Sequence, residues 1–268
     1  MKPMSEPTPT TAAPAPFRDR RRIPVLNAFV HPVTMDELVE RFHEGVMLTL
    51  HTDMVMKMQR DRDFHALLEQ VDVVTCDSQV MAFCTRFLGD PVPERVSGSD
   101  FFVRFVRHHA PDPAMTLFIL GGAPGVAALA ARRIDARAGR RFVVGTAAPE
   151  PGFEDDPERL AALIDAVNAS GARAVMVGLG GGRQEKFILR HRARMPGVRL
   201  WLPLGGTIDY ESGTFARPPA WVTDAGLEWL YRLVRQPRLR FRRYVIENPP
   251  FLWHVLRQRL GLYRDPLG

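Results

Sequence analysis

Gly178-Leu179-Gly180-Gly181-Gly182-Arg183-Gln184-Glu185-Lys186-Phe187 is the stretch whose reading decides the fold. Ahead of it, Ala174-Val175-Met176-Val177 has the character of a buried strand; behind it, Phe187-Ile188-Leu189 opens a helical pattern. A strand that empties through glycines into a helix brings backbone N–H groups and the positive end of a helix dipole to one point. That is how folds make a phosphate seat. Arg183, Gln184 and Glu185 stand at its mouth, where a sugar or nucleotide would be read. The dinucleotide fingerprint is not met, because Gly178 and Gly180 fit its first two positions but Arg183 occupies the third. Gly121-Gly122-Ala123-Pro124-Gly125 fails the same test, and no Walker A sequence occurs. Glycines also serve tight strand-to-helix turns whatever the fold binds, so by themselves they leave function open.

Outward from this stretch the chain alternates. Apolar strand-like runs at 23–30, 46–50, 71–76, 115–120, 142–145 and 198–204 are separated by helical patterns, and Thr34-Met35-Asp36-Glu37 reads as a capping box at the head of one helix. Alternation of this kind implies right-handed crossovers and an α/β, Rossmann-like, mostly parallel sheet with helices on both faces. After Asp209 the rhythm stops at Arg217-Pro218-Pro219-Ala220-Trp221. Leu227, Leu230, Tyr231 and Val234 then follow at helical spacing, arginines crowd 232–243, and apolar residues mix with Arg257 and Arg259 towards the end. The expected organisation is a flexible tail over 1–22, an α/β domain over 23–225 and a basic helical appendage over 226–268.

At 268 residues, 46% hydrophobic and 25% charged, the chain has the composition of a globular protein with a substantial core. The formal net charge of +6 favours an anionic partner: a phosphorylated substrate, an acidic lipid surface or nucleic acid. Two cysteines, Cys76 and Cys84, imply neither a disulfide framework nor a zinc site and fit a reducing cytosol. No run approaches the roughly 18 apolar residues of a membrane-crossing helix. The basic cluster of Arg18 and 20–22 precedes no apolar segment, so it does not read as a secretory signal.

In open parallel sheets ligands bind beyond the carboxyl ends of the strands. Thr49 and His51, Asp77, Gly121-Gly122, residues 178–184 and residues 206–209 all fall at such ends and are expected to converge. A carboxylate there, Asp77, is a candidate general base for an acceptor hydroxyl. The competing reading makes it the N-cap of the helix beginning near Ser78. No metal is expected: Asp155-Asp156 lacks the spacing of a DxD motif, and His108 and His109 are adjacent on one helix.

Several segments occurring in order carry a resemblance: Thr49-Leu50-His51, Cys76-Asp77-Ser78-Gln79, Glu94-Arg95-Val96-Ser97-Gly98-Ser99-Asp100, Leu120-Gly121-Gly122, Val177-Gly178-Leu179-Gly180 with Arg183-Gln184-Glu185-Lys186, Gly205-Gly206-Thr207-Ile208-Asp209, and Leu227-Glu228-Trp229-Leu230-Tyr231-Arg232-Leu233. From about residue 24 to 244 the chain resembles the WecG/TagA/CpsF family of bacterial glycosyltransferases. His51 and Ser78 stand where members often carry Asn and Gly, beside the expected sugar site, and Gly182 stands where proline is common.

The resemblance implies an inverting, metal-independent hexosyltransferase that needs no cofactor. It would move a sugar from a UDP-sugar to a lipid-diphosphate-linked saccharide in exopolysaccharide or surface glycan biosynthesis. By the same resemblance Asp77 is the base, with Thr49 beside it, and Arg95 and Gln184 line the pocket. His51, Gly121, Gly122, Gly178, Gly180, Glu185, Gly206 and Asp209 complete the substrate site. Arg232, Arg238 and Arg243 of the appendage would hold the diphosphate. The expected setting is cytoplasmic, peripheral on the inner face of the plasma membrane, in contact with anionic lipid and not nucleic acid. The alternative is a Rossmann-like nucleotide-binding protein, either non-catalytic or an oxidoreductase.

Overall fold

The computed structural model describes residues 16–225, 227–241 and 249–268. The first apolar run, expected as one strand, is a hairpin. β1 (Ile23–Val25) and β2 (Ala28–Val30) pair antiparallel, with Ile23 opposite Val30, and form a sheet of their own. The turn falls at Leu26-Asn27, where Leu26 has a left-handed φ of 59° and Asn27 is a turn-forming residue inside the otherwise strand-like run.

The main sheet has six strands, all pairing in parallel: β3 (Gly45–Leu50), β4 (Val73–Cys76), β5 (Leu117–Gly121), β6 (Val143–Ala147), β7 (Ala174–Gly178) and β8 (Leu200–Leu202). Their order is β4-β3-β8-β7-β5-β6. This is the α/β, Rossmann-like architecture the alternation implied. From β5 the chain crosses to β6 on one side, whereas from β7 it crosses to β8 on the other. Neighbouring strands whose connections diverge leave a crevice at their carboxyl ends, and Gly121 and Gly178 pair at this one.

Side chains alternate across the sheet and divide the core into two layers. Val46, Leu48 and Leu50, with Phe118, Leu120, Val175 and Val177, face one cluster. It is closed by α2 (Thr52–Met58), α4 (Gln79–Leu88), α7 (Pro157–Ser170) and α8 (Arg183–His191). Met47, Val73, Leu117, Ile119, Ala174 and Met176 face the other. There the cover is α1 (Met35–Arg41), α5 (Gly98–His109), α6 (Val126–Ala138) and α9 (Gly205–Ser212). The short helix α3 (Arg62–His65) adds Phe64 to the first cluster. Burial on both faces explains why these strands read as continuous apolar runs.

At both ends the structure departs from the expected organisation. Residues 17–22 are not a loose tail. Phe17 is buried with its ring 5.5 Å from that of Phe42, Arg20 pairs with Glu37, and Arg21 and Arg22 pair with Asp90 and Glu69. The same contact to Arg20, and one to Arg41, engages the Glu37 carboxylate, so the capping box at α1 is half formed; Thr34 caps Glu37 N–H while Glu37 turns to the arginines. α10 (Ala220–Asp224), α11 (Glu228–Arg235) and α12 (Pro237–Phe241) follow the α/β body. α13 (Pro249–Arg259), however, returns to it: Phe251 and Val255 are buried in the first cluster. The Gln258 side chain accepts the Leu26 amide N–H at 2.8 Å, and Tyr263 donates to Gln59 at 2.7 Å. An apolar pair at i and i+4 is what brings α13 back.

Candidate active site

The carboxyl edge gathers residues that lie far apart in sequence. β3 and β4 run in register from Met47 opposite Val73 to Leu50 opposite Cys76, and Asp77 N–H donates to the Leu50 carbonyl at 3.0 Å. His51 and Asp77 therefore leave the sheet side by side. Asp77 is not the cap of α4. Ser78 is: its hydroxyl accepts the Met81 amide at 3.1 Å. The competing reading of Asp77 thus loses its basis.

Arg95 is fixed next to Asp77 by the loop before α5. Val96 N–H donates to the Cys76 carbonyl at 2.9 Å and Thr75 donates to the Val96 carbonyl at 3.2 Å, binding this loop to β4. From there the Arg95 guanidinium donates to the Asp77 backbone carbonyl at 3.2 Å and to the Asp100 carboxylate at 3.4 Å. Asp100 is steadied by the Ser97 hydroxyl at 2.7 Å and by Arg217 at 3.2 Å. Arg217 also reaches Glu211, which Arg137 pairs from its other side at 2.6 Å.

Close backbone approach joins the remaining parts. A Cβ on Gly98 would stand 3.0 Å from the methyl of Thr49 and would collide with Leu204. A Cβ on Gly205 would stand 2.9 Å from Gln184 Oε1 and 3.2 Å from Gly178 Cα. One on Gly121 would strike the Gly178 carbonyl, and Gly122 N–H donates to that carbonyl at 3.2 Å. Asp77, Arg95, Thr49, Gly98, Gly205, Gln184, Gly178 and Gly121 thus form one continuous line along the ends of β4, β3, β8, β7 and β5.

Residues 23–265 match the glycosyl transferase family described as WecG/TagA/CpsF. The chain belongs to that family. It is a glycosyltransferase, a hexosyltransferase by class, with a role in surface glycan biosynthesis. Members of this WecG/TagA/CpsF family in general use a sugar-nucleotide donor and a lipid-linked acceptor.

Within this glycosyltransferase the glycine stretch behaves differently from its sequence reading. The first turn of α8 is not an open phosphate seat. Arg183 and Gln184 N–H both donate to the Gly180 carbonyl at 3.1 Å, and Gly182 N–H donates to Glu185 at 2.6 Å. The Glu185 carboxylate takes the place an external anion would have. It is buried, which pushes its pKa up, and hydrogen bonds from Gln184 and the backbone, together with the charge of nearby His51, pull against that. Glu185 is a cap turned inward, not a residue at the mouth.

Gln184 is buried too. Its amide nitrogen donates to Glu185 and to the Pro203 carbonyl, both at 2.9 Å, leaving Oε1 without a partner beside Gly205. The helices at this edge with no capping side chain are α2, which starts after His51, α6, which starts after Gly125, and α9, which starts with Gly205 and exposed Gly206. His51 is the N-cap residue of α2, and its Nδ1 lies against the Asp53 carboxylate.

Other expected residues fall elsewhere. Asp209 lies inside α9 and not at the end of β8, because Gly205-Gly206-Thr207 continues into helix. Arg232 belongs to α11, Arg238 is exposed on α12, and Arg243 lies outside the described residues. Sequence reasoning missed Gly98, Gly205, Asp100 and Arg217. Ser97 and Asp100, spaced three apart, could have flagged the start of α5, but nothing local marks Arg217 as their partner. The two thiols offer no nucleophile. Burial, with the charge of Asp77 adding to it, pushes Cys76 up to about 12, and burial pushes Cys84 up to about 11. Among the described residues no three His, Cys, Asp or Glu side chains cluster so as to hold a metal ion.

Proposed function

We propose that this glycosyltransferase moves a hexose from a UDP-sugar to a hydroxyl of a lipid-diphosphate-linked saccharide, with inversion and without a metal, during exopolysaccharide or related surface glycan assembly. The observation that carries the reading is the pairing of roles at α4. Ser78 starts the helix, so the Asp77 carboxylate is not required for capping, and Asp77 lies at the carboxyl edge with Arg95 held on its backbone carbonyl.

In this reading Asp77 accepts the proton of the acceptor hydroxyl as its oxygen bonds to the anomeric carbon. The bond from that carbon to the diphosphate breaks, and UDP leaves with the electron pair. Charge accumulating on the leaving diphosphate is met by Arg95 and by the uncapped N-termini of α6 and α9, which flank Gly121 and Gly205. Thr49 lines the acceptor side; Gln184 Oε1, buried and unpartnered, accepts from an N–H or O–H of the donor. Arg232, Arg238 and Arg243 would add diphosphate contacts when the C-terminal helices close over the edge.

No described helix is long and apolar enough to cross a membrane. Exposed Trp229, Leu230, Val234 and Phe241 on α11 and α12, among arginines, support peripheral contact with an anionic inner leaflet. Turnover of Asp77→Asn tests the mechanism: it should fall by orders of magnitude while UDP affinity changes little. Full activity in that variant refutes the base assignment.

A further inference from the structure

A second cavity lies at the other end of the sheet. His43 precedes β3, Met115 precedes β5, Arg173 precedes β7 and Arg199 precedes β8, so their side chains gather where the strands begin. The length of β7 alone separates this end from the transfer edge by roughly 16 Å. The cavity measures about 520 Å³ and is lined by His43, His108, His109, Asp112, Arg173 and Arg199, with Met115 as an apolar wall. That is the size range of small-molecule sites.

Its rim is built in advance. Arg140 donates to four carbonyl acceptors at the end of α5 and in the loop after it: His109 at 3.1 Å, Ala110 at 2.8 Å, Asp112 at 2.6 Å and Met115 at 2.7 Å. Asp112 is itself engaged, accepting the Ala114 amide at 2.9 Å. The cationic groups facing the cavity are less committed. Arg199 has only a 3.5 Å contact with exposed Glu44, and among the described residues no carboxylate pairs with Arg173.

His109 supplies the second observation. It is 6% exposed, yet its Nε2 has no hydrogen-bond partner. The rings of His43 and His108 stand 5.3 and 4.8 Å from it. Burial, with help from His108 and His43, pushes its pKa down to about 4, so it stands in the cavity wall as a neutral imidazole.

We propose that this pocket binds a small, multiply charged phosphate-bearing anion at a site separate from the transfer edge. Two arginine forks from adjacent strands and the histidine donors offer more hydrogen bonds than a single carboxylate can accept, and they match the oxygens of clustered phosphates. The assignment does not depend on the identity of the sugar donor or acceptor.

The test is calorimetric titration of the full chain with inorganic pyrophosphate. Wild type should bind one equivalent that persists in excess UDP, which fills the transfer edge. Arg173→Gln/Arg199→Gln should bind at least about 10-fold more weakly, with an unliganded unfolding midpoint matching wild type to show that it is folded. Should that double variant prove unstable, His108→Gln provides a second probe and should weaken binding without touching the strands. Binding abolished by excess UDP and retained in Arg173→Gln/Arg199→Gln would assign the anion to the transfer edge and overturn the proposal. Absence of saturable binding in wild type would overturn it as well. So would binding only to phosphatidic-acid vesicles, because the ligand would then be a lipid surface.

Discussion

Ser78 accepts the Met81 amide at 3.1 Å and thereby starts α4 one residue after Asp77. In the proposed mechanism, adjacent residues divide two jobs that one aspartate could have combined. Losing a serine cap typically costs about 1 kcal/mol. Ser78→Ala should therefore lower unfolding stability by about that amount. Asp77→Asn should leave stability within roughly 0.5 kcal/mol of wild type. Parallel urea melts of the two variants check the division; a large loss in Asp77→Asn alone would return the capping role to Asp77.

The junction of β5 and β7 leaves no space for a side chain. Gly121 has a φ of 110°, and any Cβ there would strike the Gly178 carbonyl, which is backbone and cannot turn aside. Gly121→Ala combines overpacking with a left-handed backbone, and should cost about 3 kcal/mol in denaturant unfolding. Gly125→Ala meets nothing within 4 Å and bears only the backbone penalty of its φ of 80°, so it should cost about 1 kcal/mol.

His31 makes folding sensitive to acid. Its Nδ1 accepts the Val74 amide at 3.0 Å, so only the neutral ring fits. Burial, followed by the charges of Arg22 and Arg20, lowers its pKa from 6.5 to about 4. Between those values the unfolded chain takes up a proton that the folded chain refuses, so stability falls as pH falls through this window. The loss should approach roughly 3 kcal/mol. His31→Asn, which keeps an acceptor for Val74, should flatten the slope between pH 6.5 and 4 in thermal melts.

Glu211 is 3% exposed at its side chain and relies on Arg137 at 2.6 Å and Arg217 at 3.1 Å. Removing one arginine leaves a buried carboxylate half paired. Arg217→Met should destabilise by about 2 kcal/mol, and a second substitution, Glu211→Gln, should recover part of it. Because Arg217 also holds Asp100, and Asp100 contacts Arg95, the single variant should lower kcat more than it raises KM in a transfer assay. An unchanged kcat would confine Arg217 to stability.

The sheet was legible because each buried strand is a short apolar run bounded by glycine or polar residues, as 174–178 shows. The strand ends followed from it, and with them the placement of Thr49, His51 and Asp77 on one edge. What was not legible depends on three-dimensional partners. The Glu185 carboxylate reaches back to Gly182, a choice that Glu185 could equally have made towards solvent. Gly205-Gly206 reads as a loop after β8 but packs against Gly178 and continues as α9. The return of α13 hangs on Phe251 and Val255 meeting a groove that exists only after α2, α4 and the β1–β2 hairpin have assembled. Phe251, Leu252, Trp253, Val255 and Leu256 are all apolar, and nothing in the sequence marks Phe251 and Val255 as the two that meet such a groove.

Thermal unfolding of the full chain with UDP, NAD or duplex DNA tests the central claim most directly. A ligand confined to the folded state and present at about 100 times its dissociation constant adds roughly 2.7 kcal/mol. The account predicts stabilisation by UDP that Arg95→Ala diminishes, and none by NAD or DNA. Silence with UDP together with a clear shift from NAD or DNA would contradict a UDP-sugar site at the Asp77–Arg95 edge.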